Sequence, residues 1–253
     1  MRAPAADSTR PQLRRRMYLM RHGSVSYFGE DGKPVAPQTV PLNDAGKGES
    51  AAAGRMFAAQ GVRFDRVIVS GLARTVETAG VVLQAAGQEL PIEHRPAFEE
   101  IRGGRLADIS DSQLWQAFTD STAGIVDRDV RFLGGESIGE LQDRVIPAWE
   151  SLLADSDWRV MLLVLHGAVN RALLSWLVSG ERWMLGAFEQ SPACINVIDV
   201  GASPRDVVLR AINLCPVDFL HPEERITTME KLHGEYLRYR NGKARGSSHD
   251  GSI

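Results

Sequence analysis

The sequence predicts an α/β fold, a three-layer sandwich with a mostly parallel central sheet covered by helices on both faces. Three observations predict it. Short apolar runs alternate with longer segments of helical periodicity along most of the chain. Two of those runs, Val67-Ile68-Val69 and Met161-Leu162-Leu163-Val164-Leu165, are continuously apolar, as strands buried on both faces must be. The 253 residues, 43% apolar and 24% charged, suffice for one such domain with a sizeable core.

Residues 1–16 carry five arginines, one acid and no apolar stretch. They lack the apolar centre of a secretory signal, and a disordered Arg-rich leader is preferred over an organellar transit peptide. The first strand is read at 17–20, Met17-Tyr18-Leu19-Met20. A helix follows at 44–60, where Leu42-Asn43-Asp44 offers an N-cap and Lys47 stands where an acid would complete a capping box. A strand at 66–69 and a helix at 72–86 come next. The segment from about 101 to 135 begins Gly- and Arg-rich, holds a short helix at 110–118, and is expected to cover the sheet's C-terminal edge as a lid. Glu136-Ser137 opens a helix at 137–154, followed by a strand at 160–165, a helix at 168–179, a strand at 195–200 and a weaker one at 206–213. A polar and aromatic stretch at 223–239 reads as a terminal helix, and 240–253, mostly Gly, Ser and charge, as a disordered tail. With no internal repeat and no interdomain linker, 17–239 reads as a single domain.

A net charge of -3 and a pI of about 6.1 give no global basic field for nucleic acid. No apolar run approaches the roughly 18 residues that span a bilayer, so neither nucleic acid nor membrane is expected as a partner. Cys194 and Cys215 form no C-x-x-C and have no histidines at metal spacing. They read as core residues in a reducing compartment, which suggests a cytoplasmic location. The oligomeric state stays open, a homodimer included.

Four basic residues follow apparent strands. Arg21 and His22 follow the first, Arg74 lies just after the second, and His166 follows the strand ending at Leu165. Strand C-termini of a parallel sheet share one edge, where ligands bind. The four side chains can therefore converge although they are far apart in sequence. Alone, a histidine after a strand is more often structural and Arg74 would be solvated. Arg74 on a helix's first turn also opposes the macrodipole, which points to a compensating anion. Two histidines and two arginines around one point suit a phosphoryl group. Gly23 is expected to let the backbone approach that group closely.

These residues sit in recognisable strings. Leu19-Met20-Arg21-His22-Gly23, Ser70-Gly71-Leu72-Ala73-Arg74-Thr75-Val76-Glu77-Thr78-Ala79 and Val164-Leu165-His166-Gly167-Ala168-Val169-Asn170-Arg171 occur in that order. Leu42-Asn43-Asp44-Ala45-Gly46, Phe98-Glu99-Glu100-Ile101-Arg102-Gly103-Gly104 and Gly135-Glu136-Ser137 add weaker matches. From about residue 17 to 200 the chain resembles the histidine phosphatase superfamily, the phosphoglycerate mutase-like clade, branch 1.

That resemblance implies a phosphoglycerate mutase-like fold and a phosphohistidine intermediate on His22. The nucleophile must be neutral, which neighbouring Arg21 and Arg74 favour by like charge. Arg21, Arg74, His166 and the Gly167 N–H would clamp the phosphoryl oxygens. Side chains would thus supply the charge neutralisation that a metal gives elsewhere, and neither metal nor cofactor is expected. Glu100 is the candidate general acid, with Glu99 competing; the spacing to Gly104 favours Glu100.

The chain departs from the mutases at Val25 and Phe28, where they carry a small hydroxyl residue and an asparagine, and at Ile101-Arg102-Gly103. These departures favour a phosphomonoesterase acting on a small phosphorylated substrate. The alternatives are mutase-type phosphoryl transfer and a non-catalytic phosphate- or phosphoprotein-binding module. Tyr27, Phe28, Trp115 and Phe132 read either as an apolar substrate pocket or as lid packing. Arg102 and Arg105 read equally as grips for a second anionic group and as solvated loop arginines. The physiological substrate is not legible from the sequence.

Overall fold

A computed structural model describes residues 13–29, 33–122, 124–203, 206–222 and 225–247. In chain order the elements are β1 (Arg15–Arg21), α1 (Asp44–Ala59), β2 (Arg66–Val69), α2 (Ala73–Ala85), β3 (Ile92–His94), α3 (Asp111–Thr119), β4 (Ile125–Val126), α4 (Ile138–Ala154), β5 (Val160–Leu165), α5 (Gly167–Ser179), β6 (Met184–Leu185), β7 (Ile195–Val200), β8 (Val207–Leu214) and α6 (Thr228–Ser247). Six strands form the central sheet in the order β3-β2-β5-β1-β7-β8, while β4 and β6 pair separately. Pairings among β3, β2, β5 and β1 are parallel, and β7 and β8 add an antiparallel edge. The sheet is therefore mixed, with the expected parallel part at its centre.

Side chains of β1 alternate between the two helical layers, as the strand period of two requires. Met17 and Leu19 pack in one core with Leu141, Val145 and Trp149 of α4 and Leu173 of α5. Met20 packs in the other with Ala53 and Phe57 of α1 and Val82 of α2, and Tyr18 meets Phe57 edge-on at 4.9 Å. Helix starts follow local chemistry. The Asn43 side chain accepts the Gly46 N–H at 2.9 Å. Ser137 and Glu140 close a reciprocal capping box at the start of α4.

The structure differs from the sequence expectation at β1, β3 and α6, and the two-residue strands β4 and β6 are not anticipated either. β1 begins at Arg15, inside the stretch read as leader. Arg15 lies over the Trp158 ring at 4.3 Å, and Arg16 pairs with Asp199 at 2.7 Å. Such partnered arginines can occupy a strand start that no apolar pattern reveals; residues 1–12 lie outside the described residues. β3 escaped notice because it is a three-residue edge strand in which Glu93 pairs with Arg66 at 2.8 Å. Finally, α6 runs to Ser247, so 240–247, read as disordered tail, is helical; 248–253 lie outside the described residues. Thr227 and Glu230 cap its start, and Met229, Leu232, Tyr236 and Leu237 pack on Leu114, Phe118 and Leu133. The segment read as a lid thus shares a satellite apolar cluster with α6. Among the described residues, no helix is long and apolar enough to cross a membrane.

Candidate active site

Sheet register assembles the site. Arg21 is opposite Leu165 and Val69 opposite Val164, so the C-terminal ends of β1, β5 and β2 lie side by side. The His22 N–H extends the ladder to the Leu165 carbonyl at 3.0 Å. This sets the His22 and His166 rings 5.2 Å apart at 63°. Arg74 enters from the first turn of α2, at the end of the loop that follows β2. All four predicted side chains are buried: Arg21 is 8% exposed, His22 1%, Arg74 2% and His166 0%.

The hydrogen bonds fix one tautomer of His22. Its Nδ1 lies 2.8 Å from the Gly23 carbonyl, which can only accept, so Nδ1 carries the proton. Nε2 therefore holds a lone pair, and the Arg74 Nε–H points at it across 3.3 Å. His166 Nε2 lies 2.8 Å from the Ser70 hydroxyl. Arg21 donates through Nη1 to the Gln190 carbonyl at 2.5 Å and to the Thr228 hydroxyl at 3.0 Å, and Arg74 donates to the Pro37 carbonyl at 2.6 Å.

Two buried guanidiniums normally require carboxylate partners. Among the described residues neither Arg21 nor Arg74 has an ion pair. In addition, Arg21 Nε and His166 Nδ1 are buried polar atoms with no hydrogen-bond partner among the described residues. Positive charge and unspent hydrogen-bonding capacity thus converge, which is the chemistry of an anion cradle.

Burial, then Arg74, then Arg21, hold the His22 imidazole well below its ordinary pKa; burial, Arg74 and His22 do the same for His166. Both rings are therefore neutral at pH 7. In the unfolded chain histidines take up protons as the pH falls through about 6.5, while these two resist until lower pH. The unfolded state then binds more protons, so acid costs the ligand-free protein stability across that window. Urea midpoints at constant salt are expected to be lower at pH 5.5 than at pH 7.5, with part of the difference lost in His166→Gln. A midpoint that is flat or rises toward acid would contradict the neutral, buried state of the pair.

Gly23 meets a constraint within the fold. A Cβ there would lie 2.5 Å from the Gly46 carbonyl oxygen, so the glycine lets the loop after β1 seat on the start of α1. The Gly23 N–H donates to the Thr78 hydroxyl at 3.1 Å. Gly167 opens α5, and a Cβ there would sit 3.5 Å from Arg21 Nε, an ordinary contact.

Glu100 lines a small cavity of about 50 Å³ together with Arg21, Gly167, Arg171 and Phe132. Glu99 instead faces Arg102 at 3.7 Å. Arg144 locks this loop, donating to the carbonyls of Ala97 at 2.9 Å, Glu99 at 2.7 Å and Glu100 at 3.1 Å. Of the aromatic candidates, Tyr27 lines a cavity of about 580 Å³ beside His22 and Phe132 lines the small one. Phe28 stacks on Tyr239 at 5.7 Å and Trp115 meets His233 at 5.2 Å, so both pack on α6. Arg102 and Arg105 are exposed, with Glu99 and Asp108 as neighbours. Sequence reasoning missed Arg144 and Thr228, which carry no local signal. Ser70 and Thr78 were visible in the second motif, without an assigned contact.

Among the described residues no group of His, Cys, Asp and Glu converges as metal ligands would. A buried cradle of two arginines and two neutral histidines at parallel strand ends has the chemistry of an anion site in an α/β fold. A family profile of the histidine phosphatase superfamily, branch 1, matches residues 17–213, and the chain belongs to that superfamily. It is 31% identical over 172 residues to a protein of Salmonella paratyphi A named a probable phosphoglycerate mutase, GpmB, covering 66% of this chain and 76% of the relative. The alpha-ribazole phosphatase of Shigella flexneri superposes with a TM-score of 0.59 at 23% identity, over 78% of this chain and 96% of its own. A mycobacterial glucosyl-3-phosphoglycerate phosphatase superposes with a TM-score of 0.61 at 20% identity, over 79% and 98%. Likeness at that level of identity establishes the fold.

Proposed function

We propose that the protein is a phosphomonoesterase that hydrolyses a small phosphorylated substrate through a phosphohistidine on His22. The observation that carries this reading is the His22 tautomer, with Nδ1–H held by the Gly23 carbonyl and the Nε2 lone pair turned toward Arg74. In the first step Nε2 attacks phosphorus, the P–O ester bond breaks, and the leaving alkoxide takes a proton from Glu100. Positive charge then grows on the ring, and the Nδ1–H bond to the Gly23 carbonyl strengthens. In the second step Glu100, now a carboxylate, accepts a proton from water as the water attacks phosphorus. The P–N bond breaks, neutral His22 is restored and inorganic phosphate leaves. Arg21, Arg74, His166 and the Gly167 N–H hold the equatorial oxygens, where transition-state charge sits. Two guanidiniums thus do the work a divalent cation does elsewhere. The two free, buried cysteines suit a cytoplasmic enzyme.

Val25 borders the cavity beside His22 and Phe28 is spent on Tyr239, so neither offers a phosphoglycerate the polar contacts that mutases use. This favours water as the acceptor. Hydrolysis of p-nitrophenyl phosphate is expected to persist in EDTA, and its loss there would contradict the mechanism. Glu100→Gln is expected to cost about 10²- to 10⁴-fold in kcat for alkyl phosphates. In kcat/KM, which reports the first step, it should cost far less for p-nitrophenyl phosphate, whose leaving group needs no proton, whereas the slowed second step lowers kcat for both. Glu99→Gln is expected to be nearly silent, and the reverse order would move the role to Glu99.

A further inference from the structure

Helix α6 lies beyond residue 213, where the family match ends, yet it reaches the site: the Thr228 hydroxyl takes the Arg21 Nη1 hydrogen bond at 3.0 Å. Thr228, Lys231, Leu232 and Glu235 all line the cavity of about 580 Å³ that opens on Arg21 and His22. Their spacing of three, four and seven residues places them on one face of the helix. The cavity is of the size that holds a small organic ligand. Arg21 and His22 also line it, so this space borders the proposed phosphoryl cradle.

Beyond Arg21 and His22, the charges on the described walls are unbalanced. Glu49, Glu189, Asp218 and Glu235 line it against Arg225 and Lys231, and with Glu189 paired to Arg171 behind the wall a surplus of one negative charge remains. Glu49 is held in place by the Ser24 N–H at 2.8 Å and hydroxyl at 2.7 Å, and Glu189 by Arg171 at 3.3 Å. A carboxylate on the leaving group would enter a field with a surplus of negative charge inside a partly enclosed space, where screening is weak.

We propose that this cavity is the leaving-group subsite, that α6 builds one wall of it, and that it selects phosphomonoesters of alcohols carrying no carboxylate. The inference rests on the phosphomonoesterase reading and narrows its substrate class. Glycerol 3-phosphate and 3-phosphoglycerate make a matched pair, differing at the end remote from phosphorus as a hydroxymethyl differs from a carboxylate. Wild-type protein is expected to prefer glycerol 3-phosphate by about tenfold or more in kcat/KM, a Coulombic discrimination at moderate dielectric. Glu235→Lys should shrink that ratio several-fold through KM, with Glu235→Gln between the two. Equal turnover of the pair, or a ratio that Glu235→Lys leaves unmoved, would overturn the inference. Calorimetry with His22→Ala reads the same order of affinities without turnover. If neither ester is hydrolysed but that order stands, the hydrolase reading fails and the subsite survives; if hydrolysis stands and the order is absent, the subsite fails.

Discussion

Replacing His22 with alanine is expected to lower kcat for p-nitrophenyl phosphate by about four to six orders of magnitude, up to the scale on which removing a covalent nucleophile acts. His166 is the nearest ring, but its Nε2 is engaged with Ser70. The fold should survive, because His22's packing role is small beside the apolar cores on either face of β1. Unfolding midpoints within the spread of other single surface-neutral substitutions would separate lost chemistry from lost structure. Activity persisting in His22→Ala at more than a few per cent would remove the nucleophile from the account.

Arg74→Ala is expected to cost about a thousandfold in kcat/KM, within the range seen when an arginine stabilising a phosphoryl transition state is removed. Arg74→Lys should recover little of it. The guanidinium spans two directions at once, donating through Nε toward His22 Nε2 at 3.3 Å and through Nη1 to the Pro37 carbonyl at 2.6 Å, a fork an ammonium lacks. A second readout distinguishes this role from simple support. Arg74 is a leading electrostatic cause, after burial, of the lowered His22 pKa. Removing its positive charge raises that pKa, so the acid limb of kcat/KM should move to higher pH in Arg74→Ala. A large loss of activity with an unmoved acid limb would show that Arg74 acts only as a structural prop.

Much of the fold was legible because its centre obeys periodicity. The runs at 67–69 and 161–165 are buried on both faces, and nothing but a central strand fits them. The convergence of the candidate site was legible for a related reason: Arg21, His22 and His166 immediately follow such strands, and parallel register brings their ends together. What escaped was set by tertiary partners. Arg15 and Arg16 enter a strand because Trp158 and Asp199 receive them, and α6 persists past 240 although its composition is polar. The roles of Thr228 and Arg144 depend on contacts to residues far away in sequence, Arg21 and the carbonyls at 97–100, which no spacing argument reaches. Gly23 was recognised as constrained, but its close approach to the start of α1 carries no local signal.

The central claim is covalent catalysis by His22. The measurement that tests it most directly is rapid-quench trapping during turnover of a radiolabelled phosphomonoester, followed by mapping of the labelled peptide. The account predicts a transient phosphoprotein, labile in acid and stable in base, carried on the peptide containing His22, absent in His22→Ala and longer-lived in Glu100→Gln. Steady hydrolysis by the wild-type protein with no trapped intermediate under any quench, or with label on another residue, would contradict it.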